Sequence, residues 1–87
     1  MPEQFEITIV YGTNKPLTVT ETATIDTVKL RAMDEFAIPR AEASQYILRA
    51  KVDGKEVQLD ERLTVEQSKL HPHEKVTLAA GTPYGQR

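Results

Sequence analysis

Residues 24–36 read Thr-Ile-Asp-Thr-Val-Lys-Leu-Arg-Ala-Met-Asp-Glu-Phe and carry the helical periodicity of this chain. Thr24 suits the N-cap position, and Asp26 places negative charge in the first turn. Pro39 pushes Ile38 out of helical geometry, so the helix is expected to end near Ala37. One face collects the apolar side chains at helical spacing, with Met33 at its edge: Ile25, Val28, Ala32 and Phe36.

The segment before this helix predicts a β-hairpin. Residues 5–11 (Phe-Glu-Ile-Thr-Ile-Val-Tyr) alternate apolar and polar side chains, which is typical of a half-buried strand. Gly12 and Asn14 can both adopt positive φ, so they suit the turn that follows. Residues 16–20 alternate again and complete the hairpin.

The segment after the helix predicts three more strands. Residues 46–52 and 55–59 flank Asp53-Gly54, a strong signal for a two-residue hairpin turn. Residues 75–80 (Lys-Val-Thr-Leu-Ala-Ala) are the final strand, whereas the polar residues 40–45 are expected to be a loop. The predicted order of elements is therefore ββαβββ.

This order favours an α+β fold in which one mixed sheet wraps around a single helix. Neither hairpin can bury its apolar face alone, and packing both against the helix solves this problem. The first and last strands are then expected to pair in parallel at the centre of the sheet, the arrangement known as the β-grasp. We expect this domain to occupy residues 1–80. Residues 81–87 contain nothing that could build a core and are expected to be a flexible C-terminal tail.

The bulk properties of the chain argue against several classes of function. Its 87 residues make one domain, and a formal net charge of −2 provides no basic excess for nucleic acid or an anionic membrane. No apolar run approaches the roughly 20 residues of a membrane span, and the N-terminus lacks the features of a signal peptide. The absence of cysteine removes disulfides, thiolate metal sites and cysteine nucleophiles. We expect a cytoplasmic monomer.

Catalytic and metal-binding motifs are not recognisable in the sequence. His71 and His73 flank a proline with no third ligand nearby, so we interpret them as part of a surface turn and expect no metal site. Neither histidine has a nucleophile at the spacing of a catalytic triad, and no glycine-rich phosphate loop is present. We therefore expect a protein that is not an enzyme and that carries no cofactor.

Four short stretches and a set of apolar positions resemble ubiquitin in their order and spacing. The stretches are Thr24-Ile-Asp-Thr-Val-Lys29, Ile38-Pro39, Gly54-Lys55 and Leu63-Thr64. The matching apolar positions are Ile7, Leu17, Val19, Ile25, Val28, Ile38, Val57, Leu70, Val76 and Leu78. The resemblance covers nearly the whole chain and implies a β-grasp domain of the ubiquitin-like family.

The resemblance implies a role for the C-terminal tail. When the last strand is aligned on Val76 and Leu78, Gly85 falls at ubiquitin's terminal glycine, and Gln86 and Arg87 overhang it. In ubiquitin-like modifiers the carboxylate of this glycine is adenylated and passed to a carrier enzyme. Glycine suits a narrow catalytic channel because it has no side chain and accepts any φ. The implied partners are a processing peptidase that cuts after Gly85, an ATP-dependent activating enzyme, a conjugating enzyme and target proteins.

Several residues depart from ubiquitin. Tyr84 stands where a second glycine would be, and its ring is a candidate contact for a processing or activating enzyme. Lys51, Thr77 and Ala79 replace ubiquitin's recognition patch, so different partners are expected. Ala37 replaces the glycine that ends the helix, so we expect the helix exit to differ. This divergence resembles bacterial ubiquitin-like proteins encoded beside activating enzymes, conjugating enzymes and metal-dependent (JAMM-type) peptidases, some of which act in phage defence.

Three residues outside the tail are further candidates for contacts. Val10 lies off the core face of its strand and Leu30 off that of the helix; each is either part of a partner surface or an isolated exposed apolar residue. Lys29 lies nearly on the buried face of the helix. Its aliphatic stem is therefore expected to pack in the core and its ammonium to pair with a carboxylate.

Two other functions are compatible with the sequence. The first is a non-conjugated β-grasp interaction module with an inert tail, whose partners dock on an edge or a face of the sheet. The second is a sulfur carrier, in which the terminal glycine becomes a thiocarboxylate. Sulfur carriers resemble this chain in fold but normally end on two exposed glycines, so Tyr84 and the overhang argue against this function.

Overall fold

The structure is a computed structural model that describes residues 3–82. The predicted order of strands and helix is confirmed over this range. The elements are β1 (Gln4–Tyr11), β2 (Thr13–Thr20), α1 (Ile25–Glu35), a 3₁₀ helix (Arg40–Gln45), β3 (Tyr46–Val52), β4 (Lys55–Gln58) and β5 (Lys75–Ala80). None of the helices in the described part is long and apolar enough to cross a membrane.

The five strands form one mixed sheet in the order β2-β1-β5-β3-β4. The parallel pairing expected of the first and last strands is present between β1 and β5, with Ile9 opposite Val76. The other three pairings, β1 with β2, β3 with β4 and β3 with β5, are antiparallel. The chain is thus an α+β fold in which β5 is the central strand.

Helix and sheet share one apolar core, because alternate side chains of each strand point towards α1 and the side chains between them point away. Phe36 is only half-buried and packs edge-on against Tyr11, with 5.3 Å between ring centroids, so it lies at the margin of the core. Met33, expected at the edge of the helix stripe, is fully buried instead. The buried cluster comprises Ile7, Ile9, Leu17, Val19, Ile25, Val28, Ala32, Met33, Ile38, Leu48, Ala50, Leu59, Val65, Leu70, Val76 and Leu78.

Two apolar residues on the helix-facing side of the sheet are more exposed than the sequence pattern predicts. Val57 is 38% exposed because it lies on β4, a short strand at the edge of the sheet. Tyr11 is 37% exposed because it ends β1 and stacks beside Phe36 and Tyr46 rather than under the helix.

The two hairpin turns differ in how well the sequence predicts them. Asp53 and Gly54 both adopt positive φ (53° and 81°), which confirms the two-residue turn between β3 and β4. In the first hairpin, Gly12 alone takes positive φ, and Asn14 is paired with Val10 inside β2. The strand therefore begins at Thr13 rather than at Pro16, since the glycine suffices to reverse the chain.

Residues 40–45 were expected to be a loop, and this expectation is wrong. Pro39 (φ −59°) precedes a 3₁₀ helix whose first hydrogen bond runs from the Glu42 N–H to the Pro39 carbonyl, at 3.0 Å. The Ala43 carbonyl of this short helix accepts a hydrogen bond from Lys29 Nζ at 2.7 Å. A contact with α1 thus orders a segment that has no apolar periodicity of its own.

The predicted roles of Thr24 and Lys29 in α1 are confirmed. The Thr24 hydroxyl oxygen accepts a hydrogen bond from the Thr27 N–H at 3.3 Å, as an N-cap should. Lys29 is only 1% exposed, and its ammonium donates to Glu61 Oε2 at 2.7 Å. Burial raises the pKa of Glu61 more than the neighbouring ammonium lowers it.

The end of α1 keeps the geometry that a glycine would normally provide, so the expectation of a different helix exit is wrong. Ala37 adopts a left-handed conformation with φ of 57°. Its N–H donates to the Asp34 carbonyl at 3.2 Å, and the Ile38 N–H donates to the Met33 carbonyl at 2.9 Å. These two bonds define a Schellman motif. Burial of Ile38 against Met33 in the core holds Ala37 in a conformation that L-residues avoid.

Replacing Ala37 by glycine is expected to stabilise the protein by about 0.5–1 kcal/mol. Glycine removes the steric cost of positive φ, which outweighs the greater entropy of the unfolded chain. Urea unfolding followed by circular dichroism measures the difference. The matched control is Ala41→Gly, at an exposed position with no positive φ, where the same change should destabilise the protein. If Ala37→Gly lowers the free energy of unfolding as much as Ala41→Gly does, or more, then Ala37 is not strained.

Candidate functional site

The face of the sheet turned away from α1, here called the outer face, carries most of the candidate partner residues. Val76 and Leu78 point into the core, so Thr77 and Ala79 point outward from β5. Val10 of β1 lies opposite Thr77 in the parallel pair. The structure therefore places on one surface residues that lie far apart in the sequence.

A groove of about 320 Å³ lies on this surface and brings together three of the five candidate partner residues. Its lining includes Val10 from β1, Lys51 from β3 and Thr77 from β5. The rest of the lining comes from Arg49, Ala50, Glu56, Glu74 and Lys75.

The other two candidates lie elsewhere. Ala79 is on the outer face but two residues further along β5, where it pairs with Ile47 beyond the groove. Leu30 is on α1 and packs half-buried against the core, so it belongs to the other layer of the domain. Leu30 is thus no part of the outer surface.

The groove carries charges of both signs, and their pairing is loose. Arg49 Nε and Glu56 Oε1 are 3.9 Å apart, and both side chains are 46% exposed, so this ion pair holds the two residues only weakly. Glu74 Oε1 accepts a hydrogen bond from the His71 N–H at 3.0 Å. Its Oε2 is buried and has no hydrogen-bond partner within residues 3–82.

The predicted histidine turn is confirmed, and it lies immediately before β5. His71 and His73 are both exposed, and His73 takes a φ of 65°. The His73 N–H donates to the Glu6 carbonyl at 2.6 Å, which ties the turn to β1. Among the described residues, no group of three histidine, aspartate or glutamate side chains is placed to hold a metal ion.

The root of the C-terminal tail is bound to the sheet. Strand β5 ends at Ala80, and the Gly81 N–H then donates to the Gln45 carbonyl at 3.0 Å. Gln58 Nε2, on β4, donates to the Thr82 carbonyl at 2.8 Å. Because β3 lies between β5 and β4, the hydrogen bond of the Gln58 side chain spans β3 and joins the start of the tail to the edge strand. The predicted processing and conjugation residues, Tyr84, Gly85 and Gln86, lie outside the described residues.

The backbone of Gly81 lies close to the Ile47 side chain of β3. A Cβ at this position would lie 2.8 Å from Ile47 Cδ1, closer than real Cβ atoms approach. Ile47 is on the outer face, opposite Ala79, yet only 6% of it is exposed. The contact between Gly81 and Ile47 was not predicted from the sequence. The signal was present in Ile47-Leu48, two adjacent large apolar residues in a strand, which implies that both faces of β3 are covered at that point.

The chain matches no protein-family model and no curated protein. What the protein does must therefore be inferred from its fold, its outer face and its tail.

Proposed function

We propose that this protein is a β-grasp, ubiquitin-like protein modifier. In this proposal a peptidase, of the JAMM type, cuts the precursor after Gly85 and removes Gln86 and Arg87. An ATP-dependent activating enzyme adenylates the new carboxylate and releases pyrophosphate. The acyl group then passes to a conjugating enzyme with release of AMP, and from that enzyme to an amine or a hydroxyl of a target protein. The protein acts in the cytoplasm as the substrate of this chemistry and not as its catalyst.

The observation that carries the proposal is the position of Gly85 relative to the central strand. Leu78 is the last buried core residue of β5, and Gly85 follows it by seven residues, the same spacing as in ubiquitin. Thr82 is the last residue with a described contact to the sheet. Three more residues extend at most about 10 Å, which is enough to carry the Gly85 carboxylate away from the domain and into an enzyme channel.

The order of the elements also supports a β-grasp. One helix follows the first hairpin, the last strand pairs in parallel with the first, and β5 lies in the middle of the sheet. Wrapping the sheet around the helix leaves the outer face for partners. Its groove is charged where ubiquitin has an apolar patch, so we infer that the enzymes of this pathway are dedicated ones that do not serve ubiquitin.

Mass spectrometry of the protein purified from its native cell tests the proposal. We expect free protein that ends at Gly85, and target peptides that carry the tail on a lysine, serine or threonine side chain. Recovery of only unprocessed protein that retains Gln86 and Arg87, with no adducts, would overturn the proposal. That result would favour the alternative of a non-conjugated interaction module, for which the groove at Val10 and Thr77 is the supporting observation.

A further inference from the structure

The two edges of the sheet differ in the backbone groups that they present. At the β2 edge, every second residue bonds to β1, and the residues between turn their backbone N–H and C=O groups outward. The Thr8 N–H donates to the carbonyl of Glu74, the residue before β5, so Thr8 turns its N–H away from β2, and Ile7 and its partner Leu17 bond across the β1–β2 ladder. The outward residues of β2 are therefore Asn14, Pro16, Thr18 and Thr20.

Three of the eight outward backbone groups at the β2 edge are absent or occupied. Pro16 has no N–H to donate. The Thr18 carbonyl accepts a hydrogen bond from Arg31 at 2.7 Å, and the Thr20 carbonyl accepts one from the Ala23 N–H at 3.0 Å. These gaps interrupt the edge at Pro16, Thr18 and Thr20, so an added strand would not form a continuous ladder there.

The β4 edge, by contrast, presents outward backbone groups that no other described residue binds. The Leu59 N–H donates to the Leu48 carbonyl at 2.8 Å, which sets the alternation of the β3–β4 ladder. Val57 and Lys55 share the parity of Leu59 and bond to β3. Glu56 and Gln58 therefore turn outward, and within residues 3–82 their backbone N–H and C=O groups have no hydrogen-bond partner.

The side chains of β4 define what would fit beside it. Val57 faces the helix side of the sheet and is 38% exposed, so it presents apolar surface at the open edge. Glu56 lies on the outer face and is held only loosely by Arg49. An antiparallel strand would therefore be favoured by an apolar residue opposite Val57, a basic residue opposite Glu56 and an acidic residue opposite Lys55.

We propose that the β4 edge is a docking site for an extended segment of a partner protein, which adds to the sheet as a sixth strand. Glu56 and Gln58 would supply four backbone hydrogen bonds, and Val57 would supply the apolar contact. A second copy of this chain fits less well. A four-residue edge is far smaller than the interface a stable dimer needs, and self-pairing would place Glu56 opposite Gln58 rather than opposite a cation.

The position of the β4 edge also suits a partner that binds or processes the C-terminal tail. Gln58 both belongs to β4 and binds the Thr82 carbonyl, so a strand added at β4 lies next to the tail root. The proposal goes beyond the modifier function and stands whether or not Gly85 is conjugated.

A titration of the ¹⁵N-labelled full-length protein with a capped peptide, Ser-Thr-Val-Lys-Glu-Ser, tests the docking site. The peptide valine is designed to lie opposite Val57 and the peptide lysine opposite Glu56. We expect amide shifts centred on residues 55–59 and a dissociation constant of about 1 mM or lower. The absence of shifts at millimolar peptide, or shifts centred on β2 or on the groove, would overturn the proposal.

Two pairs of changes identify the hydrogen bonds. Glu56→Pro removes an outward N–H and leaves the β3 ladder intact, so it should weaken binding at least about tenfold. Thr18→Pro, the matched change at the interrupted β2 edge, should leave binding unchanged. In the peptide, N-methylation of the lysine blocks an amide that faces β4, whereas N-methylation of the valine blocks one that faces solvent. If both methylated peptides bind equally well, strand addition is wrong, even where a proline variant fails to fold.

Discussion

Lys29→Ala is expected to lower the free energy of unfolding by about 3–5 kcal/mol, the cost of breaking a buried and fully bonded ion pair. The Lys29 ammonium donates to the Ala43 carbonyl at 2.7 Å, to the Tyr46 carbonyl at 3.2 Å and to Glu61 Oε2 at 2.7 Å. The substitution removes the ammonium from all three acceptors, of which the Ala43 carbonyl keeps the Tyr46 N–H as a donor, and it leaves a void where the aliphatic stem packed. For a chain of 87 residues, stability is expected to be about 4–13 kcal/mol, so the loss is a large share of the total.

The three acceptors of Lys29 also explain why its effect should reach beyond α1. Ala43 belongs to the 3₁₀ helix, Tyr46 begins β3, and Glu61 lies in the segment after β4. The Asp26 N–H donates to the Glu61 backbone carbonyl at 3.2 Å, which joins the same segment to the start of α1. Loss of the ammonium should therefore loosen residues 40–46 and 60–64 together.

Urea unfolding followed by circular dichroism measures the effect of Lys29→Ala, and Lys15→Ala is the matched control. Lys15 also donates to a backbone carbonyl, that of Glu35 at 2.8 Å, but its side chain is exposed. The control should cost no more than about 1 kcal/mol. Losses of equal size in the two variants would show that the buried hydrogen bonds of Lys29 stabilise the protein no more than the exposed hydrogen bond of Lys15. Faster amide exchange in residues 40–46 of the Lys29 variant would support its role in ordering the 3₁₀ helix.

The pH dependence of this pair has a definite sign. Because burial raises the pKa of Glu61, the folded state favours the protonated carboxyl more than the unfolded chain does. The contribution of Glu61 to stability is thus complete below its ordinary pKa and falls as the pH rises through the raised value. The pair therefore does not by itself make the protein sensitive to acid.

Gly85→Trp is expected to reduce conjugation by at least about 100-fold, because a bulky side chain displaces the reacting carboxylate in the channel of an activating enzyme. The same change should leave the urea midpoint unaltered, because Gly85 lies beyond Leu78, the last core residue of β5. The assay follows high-molecular-mass adducts of a tagged protein in its native cell. An interaction module with an inert tail would keep its activity after this substitution.

Two control chains separate processing from activation. A chain that ends at Gly85 needs no peptidase and should form adducts at least as well as the precursor. The same shortened chain with Gly85→Trp should form none. Adducts from the second chain at the level of the first would show that Gly85 is not the reacting residue, and the modifier function would then be wrong.

Local patterns explain the parts of the fold that were predictable. A strand and a helix differ in the period of their apolar residues, and Asp53-Gly54 suits only a tight turn, so the order of the elements follows from neighbours in the chain. The parallel pairing of β1 with β5 follows too, since a sheet that must cover one helix leaves few arrangements. The burial of Lys29 was predictable from its place on the helix face, but its three acceptors were not.

The outcome differed where packing in the core overrides the preference of a single residue. Ala37 adopts positive φ although it is not glycine, because Ile38 and Met33 are both buried in the core and the Ile38 N–H bonds to the Met33 carbonyl. The 3₁₀ helix at residues 40–45 has no periodicity and is ordered by Lys29 from α1.

By itself, the sequence determined the number, type and order of the elements, the α+β class and the position of Gly85 relative to Leu78, because each depends on periodicity or spacing along the chain. Only the tertiary structure decided which residues share a surface. It brought Val10, Lys51 and Thr77 into one groove, separated them from Leu30, bonded Thr82 to Gln58, and left β4 rather than β2 as the uninterrupted edge. The physical reason is that strand order and register join residues far apart in the chain, and no local pattern records which strands become neighbours.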